Sequence, residues 1–335
     1  MTTGIPGSAI WIRFPRFIGD SIMIHQAMEP LRQAGFPLVG WGPAPVVELF
    51  EGMAGYAAML ADPPIRQGAW DMSRSLRAHH PKGTINLARS QRANLAALLA
   101  GVPLRIGWRE GLGGLLCNRS LPFKSLAGHQ QLRYAALVRS AMPGLGEPPC
   151  RPFQPRPNAQ AAADALLADV TKPFIVFSLG AMSTSKRLGI EVWTGLGERL
   201  LREDHRIVLL GSTVDDQVVA QAISSRLGSG YDLTGKAPLS VAAGVIRRAA
   251  GLVGNDSALS HLGAACAVPT VVAFGPTDPA LTAPWGNGVR VVRHPSLDCL
   301  VCQEGACPRP GHPCMEELPL EALMGALREL GIRKP

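Results

Sequence analysis

Apolar residues come along this chain in short, largely β-branched runs, each followed by a Gly-, Asp- or Ser-bearing turn and then a segment of helical period. The first such run, Ser8 to Phe14, predicts a buried strand. Pro15 to Gly19 reads as a loop, and Asp20-Ser21 opens a helix toward Ala34 whose apolar face is Ile24, Ala27, Met28 and Leu31. Leu38 to Trp41 predicts a second strand and Val46 to Phe50 a short helix. Thr84 to Leu87, a helix from Ser90 to Ala100 and the strand Leu104 to Trp108 continue the alternation. Gly111 to Gly114 reads as a mobile loop, and His129 as the start of a helix reaching about Met142. Strand and helix alternate throughout, which predicts an α/β unit on a parallel sheet.

Residues 143–157 are too rich in Pro and Gly for any regular element and predict an interdomain linker. The pattern then begins again. A helix from Asn158 to Ala168 leads to the strand Pro173 to Gly180. The loop Ala181 to Arg187 and a helix from Ile190 follow, then the strand Arg206 to Ser212 and a helix. Asp232 to Lys236 is a loop, Leu239 to Ala250 a helix, and Leu318 to Leu330 a final amphipathic helix. The expected organisation is two doubly wound, Rossmann-like domains, residues 1–157 and 158–335, facing across a cleft.

The most informative stretch is Leu252 to His261 continuing to Thr270 to Pro279. It predicts a βαβ unit whose two strand ends, Asn-Asp-Ser and Gly-Pro-Thr-Asp, lie on one sheet edge. The helix start at Ser257 to Ser260 offers free backbone N–H groups and the positive end of the helix dipole, which suit a phosphate. Ser183, Thr184, Ser185, Lys186 and Arg187 offer hydroxyls and cations after another strand, which suit a diphosphate or simply a polar surface loop; the glycine spacing of a P-loop is absent. Asp20 admits two readings, an N-cap contributing ~1 kcal/mol or a carboxylate held at the cleft edge as a general base.

Composition narrows these readings. The 335 residues are 47% hydrophobic and 17% charged, with no run long enough to span a bilayer and no secretory signal at the start, so the expected location is cytoplasmic. The net charge of +8 is uneven. Residues 1–150 hold 15 Lys and Arg against 8 Asp and Glu, and residues 151–335 hold 18 against 17. Arg66, Arg74, Arg77, His79, His80, Lys82, Arg89 and Arg92 carry much of the excess, which fits an anionic partner for the first half or a solvated basic surface. Few aromatics and no recognisable binding motif argue against nucleic acid.

At these residues the sequence resembles the ADP-heptose:lipopolysaccharide heptosyltransferases, inverting glycosyltransferases of the two-domain GT-B architecture. The likeness rests on Gly19-Asp20 after the first strand, Gly180 to Lys186, the Asp256 to His261 run, and Gly275-Pro276-Thr277-Asp278-Pro279. It implies that Asp20 is the general base. It places Ser183, Thr184 and Lys186 in the loop holding the sugar-nucleotide phosphates, with Asp256 on the donor heptose and Ser257, Ala258 and His261 along the diphosphate. It implies an ADP-sugar donor, an anionic lipopolysaccharide-type acceptor, peripheral contact with the inner membrane face, and no cofactor for catalysis. The chain departs from the family in having Ala258 where Gly is usual and Gln26 where Pro is common. Other acceptors, a protein among them, and other nucleotide-linked sugars remain open, as do a sugar-nucleotide epimerase and a non-catalytic ADP-binding protein.

The seven cysteines are an odd number and fit a reducing compartment better than a disulfide framework. Cys299-x2-Cys302-x4-Cys307-x6-Cys314 is a spacing that suits tetrahedral Zn or iron, expected here as a structural staple; the bland alternative is four free thiols. Cys117, Cys150 and Cys266 are scattered, and Cys266 reads as core.

Overall fold

The computed structural model describes residues 5–62, 68–144, 146 and 151–332; Arg66 and Cys150 lie outside them. The chain divides into two compact units, Met1–Arg151 and Pro152–Pro335. The division falls within the Pro/Gly-rich stretch, and Pro157 already begins the helix Pro157–Leu166.

In the first unit the strands are β1 (Ile10–Arg13), β2 (Leu38–Gly42), β3 (Tyr56–Ala61), β4 (Gly83–Asn86), β5 (Leu104–Trp108) and β6 (Arg119–Leu121). They form one parallel sheet in the order β3-β2-β1-β4-β5-β6. In the second unit they are β7 (Phe174–Ser178), β8 (Arg206–Leu210), β9 (Tyr231–Asp232), β10 (Gly251–Asn255), β11 (Thr270–Ala273) and β12 (Val289–Val292). Their order is β12-β11-β10-β7-β8-β9. Read from the β9 edge and counted from its own first strand, this second sheet has the same order as the first. Both are doubly wound, and the direction of winding reverses between β1 and β4 and between β7 and β10. Ligands of open α/β sheets bind outside the carboxyl ends of the strands at such reversals.

Burial on both sheet faces explains why the strands read as continuous apolar runs. In the first unit Trp11, Val39, Trp41, Met72, Leu76 and Ala96 share a core. In the second, Ile175, Phe177, Leu209, Val253 and Val271 from the sheet meet Trp193, Leu196 and Leu200 from the helix Ile190–Arg202. The last helix, Leu320–Glu329, adds Leu323, Met324 and Leu327 to that same core. Each large apolar side chain so buried contributes about 2–3 kcal/mol.

The structure departs from the sequence reading in several places. The first helix is Ile18–Ala27 with Phe17 at its N-cap and no side-chain cap, so Asp20 is the third helical residue and not the cap. Gly113–Leu116, expected in a mobile loop, is a helical turn, with Gly113 packed so closely on the Trp108 carbonyl that a side chain has no room. The strands β3, β6, β9 and β12 and the helix Ala69–His79 were not apparent. The β3 sequence is Tyr-Ala-Ala-Met-Leu-Ala, only partly buried at a sheet edge, and alanine carries little β-propensity. Among the described residues no helix is long and apolar enough to cross a membrane.

Candidate active site

The site residues fall into two groups, one at each winding reversal. In the first unit β1 delivers the chain into the loop Phe14 to Phe17. Arg13 anchors that loop from beneath. Its guanidinium donates to Phe14 O at 2.8 Å, to Trp41 O at 3.2 Å and to Asp62 Oδ2 at 2.9 Å, and lies 5.2 Å from the centre of the Trp41 ring. Burial lowers its pKa, and the Asp62 carboxylate opposes that shift.

Asp20 follows, half-buried, and Gln130 Nε2 donates to its Oδ1 at 2.9 Å. The same amide donates to the Tyr134 hydroxyl at 2.7 Å. Gln130 opens the helix Gln130–Ala141 behind His129, whose Nδ1 accepts from Gln131 N at 3.1 Å; His129 is thus a helix-start residue, as its position suggested. Tyr134 has its pKa raised, first by burial and then by the charge of Asp20, with the Arg89 and Arg133 cations opposing. Both arginines lie over the buried Phe123 ring, at 4.6 and 5.0 Å from its centre. Arg89 comes just after β4, across the reversal from Asp20, on a loop ordered by Asn86 through Ala88 N and Ser90 O. A carboxylate held at one oxygen by a neutral amide can take a proton from a bound hydroxyl.

In the second unit Asp256 is the centre. It directly follows β10, is buried to 8% exposure, and its Oδ2 receives Lys186 Nζ at 2.5 Å and the Thr277 hydroxyl at 2.8 Å. Three separate sheet-end loops therefore converge on one carboxylate oxygen. Asn255, fully buried beside it, ties both ends of the loop that carries Lys186. Its Oδ1 accepts from Leu188 N at 3.0 Å and its Nδ2 donates to Leu179 O at 2.8 Å. Ser257 is the N-cap of the helix Ala258–Ala265 without a side-chain cap, and its hydroxyl lies 3.3 Å from that of Ser178 on β7. Ala258 opens that helix and His261, buried, completes its first turn. First-turn amides of a helix lack intrahelical acceptors, so this end is prepared for an anion.

Thr184 to Lys186 form a single 3-10 turn. Ser183 Oγ pairs with Ser185 Oγ at 3.2 Å, and Thr184 Oγ1 reaches Gly305 O at 3.5 Å. Arg187 pairs with the buried Asp216 at 3.0 Å; that carboxylate also accepts from Ser212 N and Thr213 N at the capped start of the helix Val214–Leu227. Sequence reasoning missed Asp216, Gln130 and Tyr134. Thr277 lay inside a noted motif without a role, although Thr after Gly-Pro at a strand end was a usable signal.

The cysteine cluster needs correction. Among the described residues no three or more of His, Cys, Asp and Glu come together so as to hold a metal ion. Cys314 is buried in the second core, on the turn Pro313–Glu316, with its Sγ directed at Gly275, while Cys302 is exposed. The thiols are close enough for charge to matter. Burial first, then Cys307, Cys299 and Cys302, push Cys314 up to about 11. They are nevertheless divided between core and surface and do not form a ligand set, so the expected Zn or iron staple is not met by these residues.

The model of glycosyltransferase family 9 (heptosyltransferase) matches residues 69–312. Lipopolysaccharide heptosyltransferase 2 of Escherichia coli is 27% identical over 302 residues, 83% of this chain and 86% of that protein. Lipooligosaccharide heptosyltransferase 2 of Haemophilus influenzae is 26% identical over 289 residues, 80% and 83% of the two chains. Among solved structures, E. coli ADP-heptose lps heptosyltransferase II superposes with a TM-score of 0.78 at 23% identity, covering 96% of this chain and 98% of that one. The family 9 glycosyl transferase from Veillonella parvula superposes with a TM-score of 0.83 at 17% identity over 98% and 99%. These likenesses identify the fold as GT-B, and with the family match over most of its length this chain belongs to glycosyltransferase family 9, the heptosyltransferase family.

Proposed function

We propose that this protein is an inverting heptosyltransferase that moves heptose from ADP-heptose to the inner core of lipopolysaccharide, in the cytoplasm and at the inner membrane face. The observation that carries the reading is the convergence of Lys186 and Thr277 on Asp256 beside an open helix start. It offers a cation and backbone amides to a diphosphate, and a fixed carboxylate to the sugar attached to it. The names of the relatives supply the sugar and the class of acceptor.

In this reading the acceptor hydroxyl attacks the anomeric carbon from the face opposite the leaving group. Asp20 takes the hydroxyl proton as the new C–O bond forms. The bond from the anomeric carbon to the diphosphate oxygen breaks, and ADP leaves with the electron pair. Lys186 and the first-turn amides of the helix Ala258–Ala265 stabilise the charge that grows on it, so the scheme requires no divalent metal. Ser183, Thr184, Ser257, Ala258 and His261 line the phosphates. Arg89 and Arg133, held over Phe123 near Asp20, receive the acid groups of the acceptor. The division of labour is then an acceptor domain followed by a donor domain.

The experiment is turnover of ADP-heptose with and without a truncated lipopolysaccharide acceptor. Acceptor-dependent ADP release supports transfer. ADP-heptose that stays intact with every acceptor rejects it.

A further inference from the structure

The cysteine-rich loop was set apart by its thiols, yet what it touches is the donor site. Ser185, buried to 2% exposure in the 3-10 turn before Lys186, is bonded to this loop through its N–H, its hydroxyl and its carbonyl. Its N–H donates to Gly305 O at 3.4 Å and its hydroxyl to Glu304 O at 2.6 Å. Its carbonyl lies 2.8 Å from His312 Nε2, and because a carbonyl only accepts, the imidazole carries its proton on Nε2. A little further on, Gly189 N donates to Met315 O at 3.2 Å, and Gly189 packs against the Glu316 side chain.

The same loop grips the second arm of the site. Val301 N donates to Gly275 O at 3.1 Å and Gln303 N to Pro276 O at 2.8 Å, immediately before Thr277. Val301, Gln303 and His312 all have positive φ, 65°, 63° and 44°. Non-glycine residues, β-branched ones above all, stay there only where their surroundings over-determine the backbone. Arg309 and Asp298, 2.8 Å apart, close the loop on itself.

We propose that the segment from Val301 to Met315 is a brace that sets the donor site, with His312 and Ser185 as positioning residues. Lys186 and Thr277 reach Asp256 from two different strand ends, and this single loop holds both of those ends. A brace of this kind fixes the separation of the Lys186 ammonium from the helix start and therefore the fit of a diphosphate. The inference rests on the donor reading given above.

The test uses the full chain and three variants, His312→Ala, His312→Gln and Ser185→Ala. Amide hydrogen exchange over residues 183–188 and calorimetric binding of ADP are the two readouts. Losing the His312 bond is expected to speed exchange in that segment and to weaken ADP binding about tenfold, the scale of one buried hydrogen bond. His312→Gln keeps an N–H donor and should restore most of both, which general destabilisation would not do. Ser185→Ala removes the hydroxyl bond to Glu304 O and should act in the same direction if His312→Ala folds poorly. Wild-type binding of ADP that both disrupting variants leave unchanged would overturn the brace alone. A wild-type protein that binds no ADP would overturn the donor reading and the proposal with it.

Discussion

Lys186 Nζ lies 2.5 Å from Asp256 Oδ2, across 70 residues of sequence and from one side of the β7/β10 reversal to the other. The lysine side chain is 22% exposed and the aspartate side chain 8%. Removing one partner of a pair this well buried leaves the other charge with little solvent. Lys186→Ala is expected to cost about 3 kcal/mol in urea unfolding. Adding Asp256→Asn should return part of that loss, because the residual charge disappears. Strictly additive losses would show that the two groups are not coupled.

Gly275 ends the β11 arm against the cysteine loop. A Cβ built there would lie 2.7 Å from Cys314 Sγ and 3.0 Å from Met315 Sδ. Gly275→Ala should therefore destabilise by about 1–3 kcal/mol through overpacking. Gly275→Ala combined with Cys314→Ala should be more stable than Gly275→Ala alone. Equal stability of the two would place the strain elsewhere.

In the first unit Gln130 holds Asp20 by one oxygen. Gln130→Leu keeps the helix but removes the donor. Transfer should slow about tenfold through misplacement of the carboxylate, with ADP affinity unchanged because no donor-site residue is altered. A loss of ADP affinity equal to the loss of rate would contradict a role confined to Asp20.

His25 predicts a pH dependence of stability. It is fully buried, 3.1 Å from the Tyr56 hydroxyl and stacked on Phe50. Burial, and then the charge of Arg32, hold its pKa well below the ordinary 6.5. The unfolded chain therefore takes up a proton that the folded chain resists. This contribution to stability is fully present above pH 6.5 and is lost as pH falls below it toward the folded value. Melting temperatures measured from about pH 7.5 down to about pH 5.5 should fall, and His25→Gln should flatten the slope. An unchanged slope in the variant would assign it to another group.

Much of the architecture was legible because buried parallel strands are spelled in unbroken apolar residues. Phe174 to Ser178 and Gly251 to Asn255 declare themselves in this way, and the Asn-Asp-Ser and Gly-Pro-Thr-Asp endings marked the functional edge. What failed was local chemistry without a local signal. The first helix starts at Ile18 behind an uncapped Phe17, so the polar residue that looked like a cap lies inside the helix. Gly113 reads as flexible, although its glycine is demanded by contact with the Trp108 carbonyl. The links from Asp20 to Gln130, from Lys186 to Asp256 and from Ser185 to His312 join residues far apart in sequence. Spacing cannot encode such pairs, because only the sheet order brings them together. The four cysteines misled for the converse reason. Their spacing suits a metal, but Cys314 is drawn into the core by the apolar turn around it.

The central claim is that Asp20 is the base for heptose transfer, and it is tested most directly by Asp20→Asn, which keeps the shape of the side chain and an acceptor oxygen for Gln130. Transfer from ADP-heptose to a truncated lipopolysaccharide acceptor should fall by roughly 100-fold or more, the scale of a lost general base, while calorimetric ADP affinity stays that of the wild type. Transfer by Asp20→Asn at a near-normal rate would contradict the account.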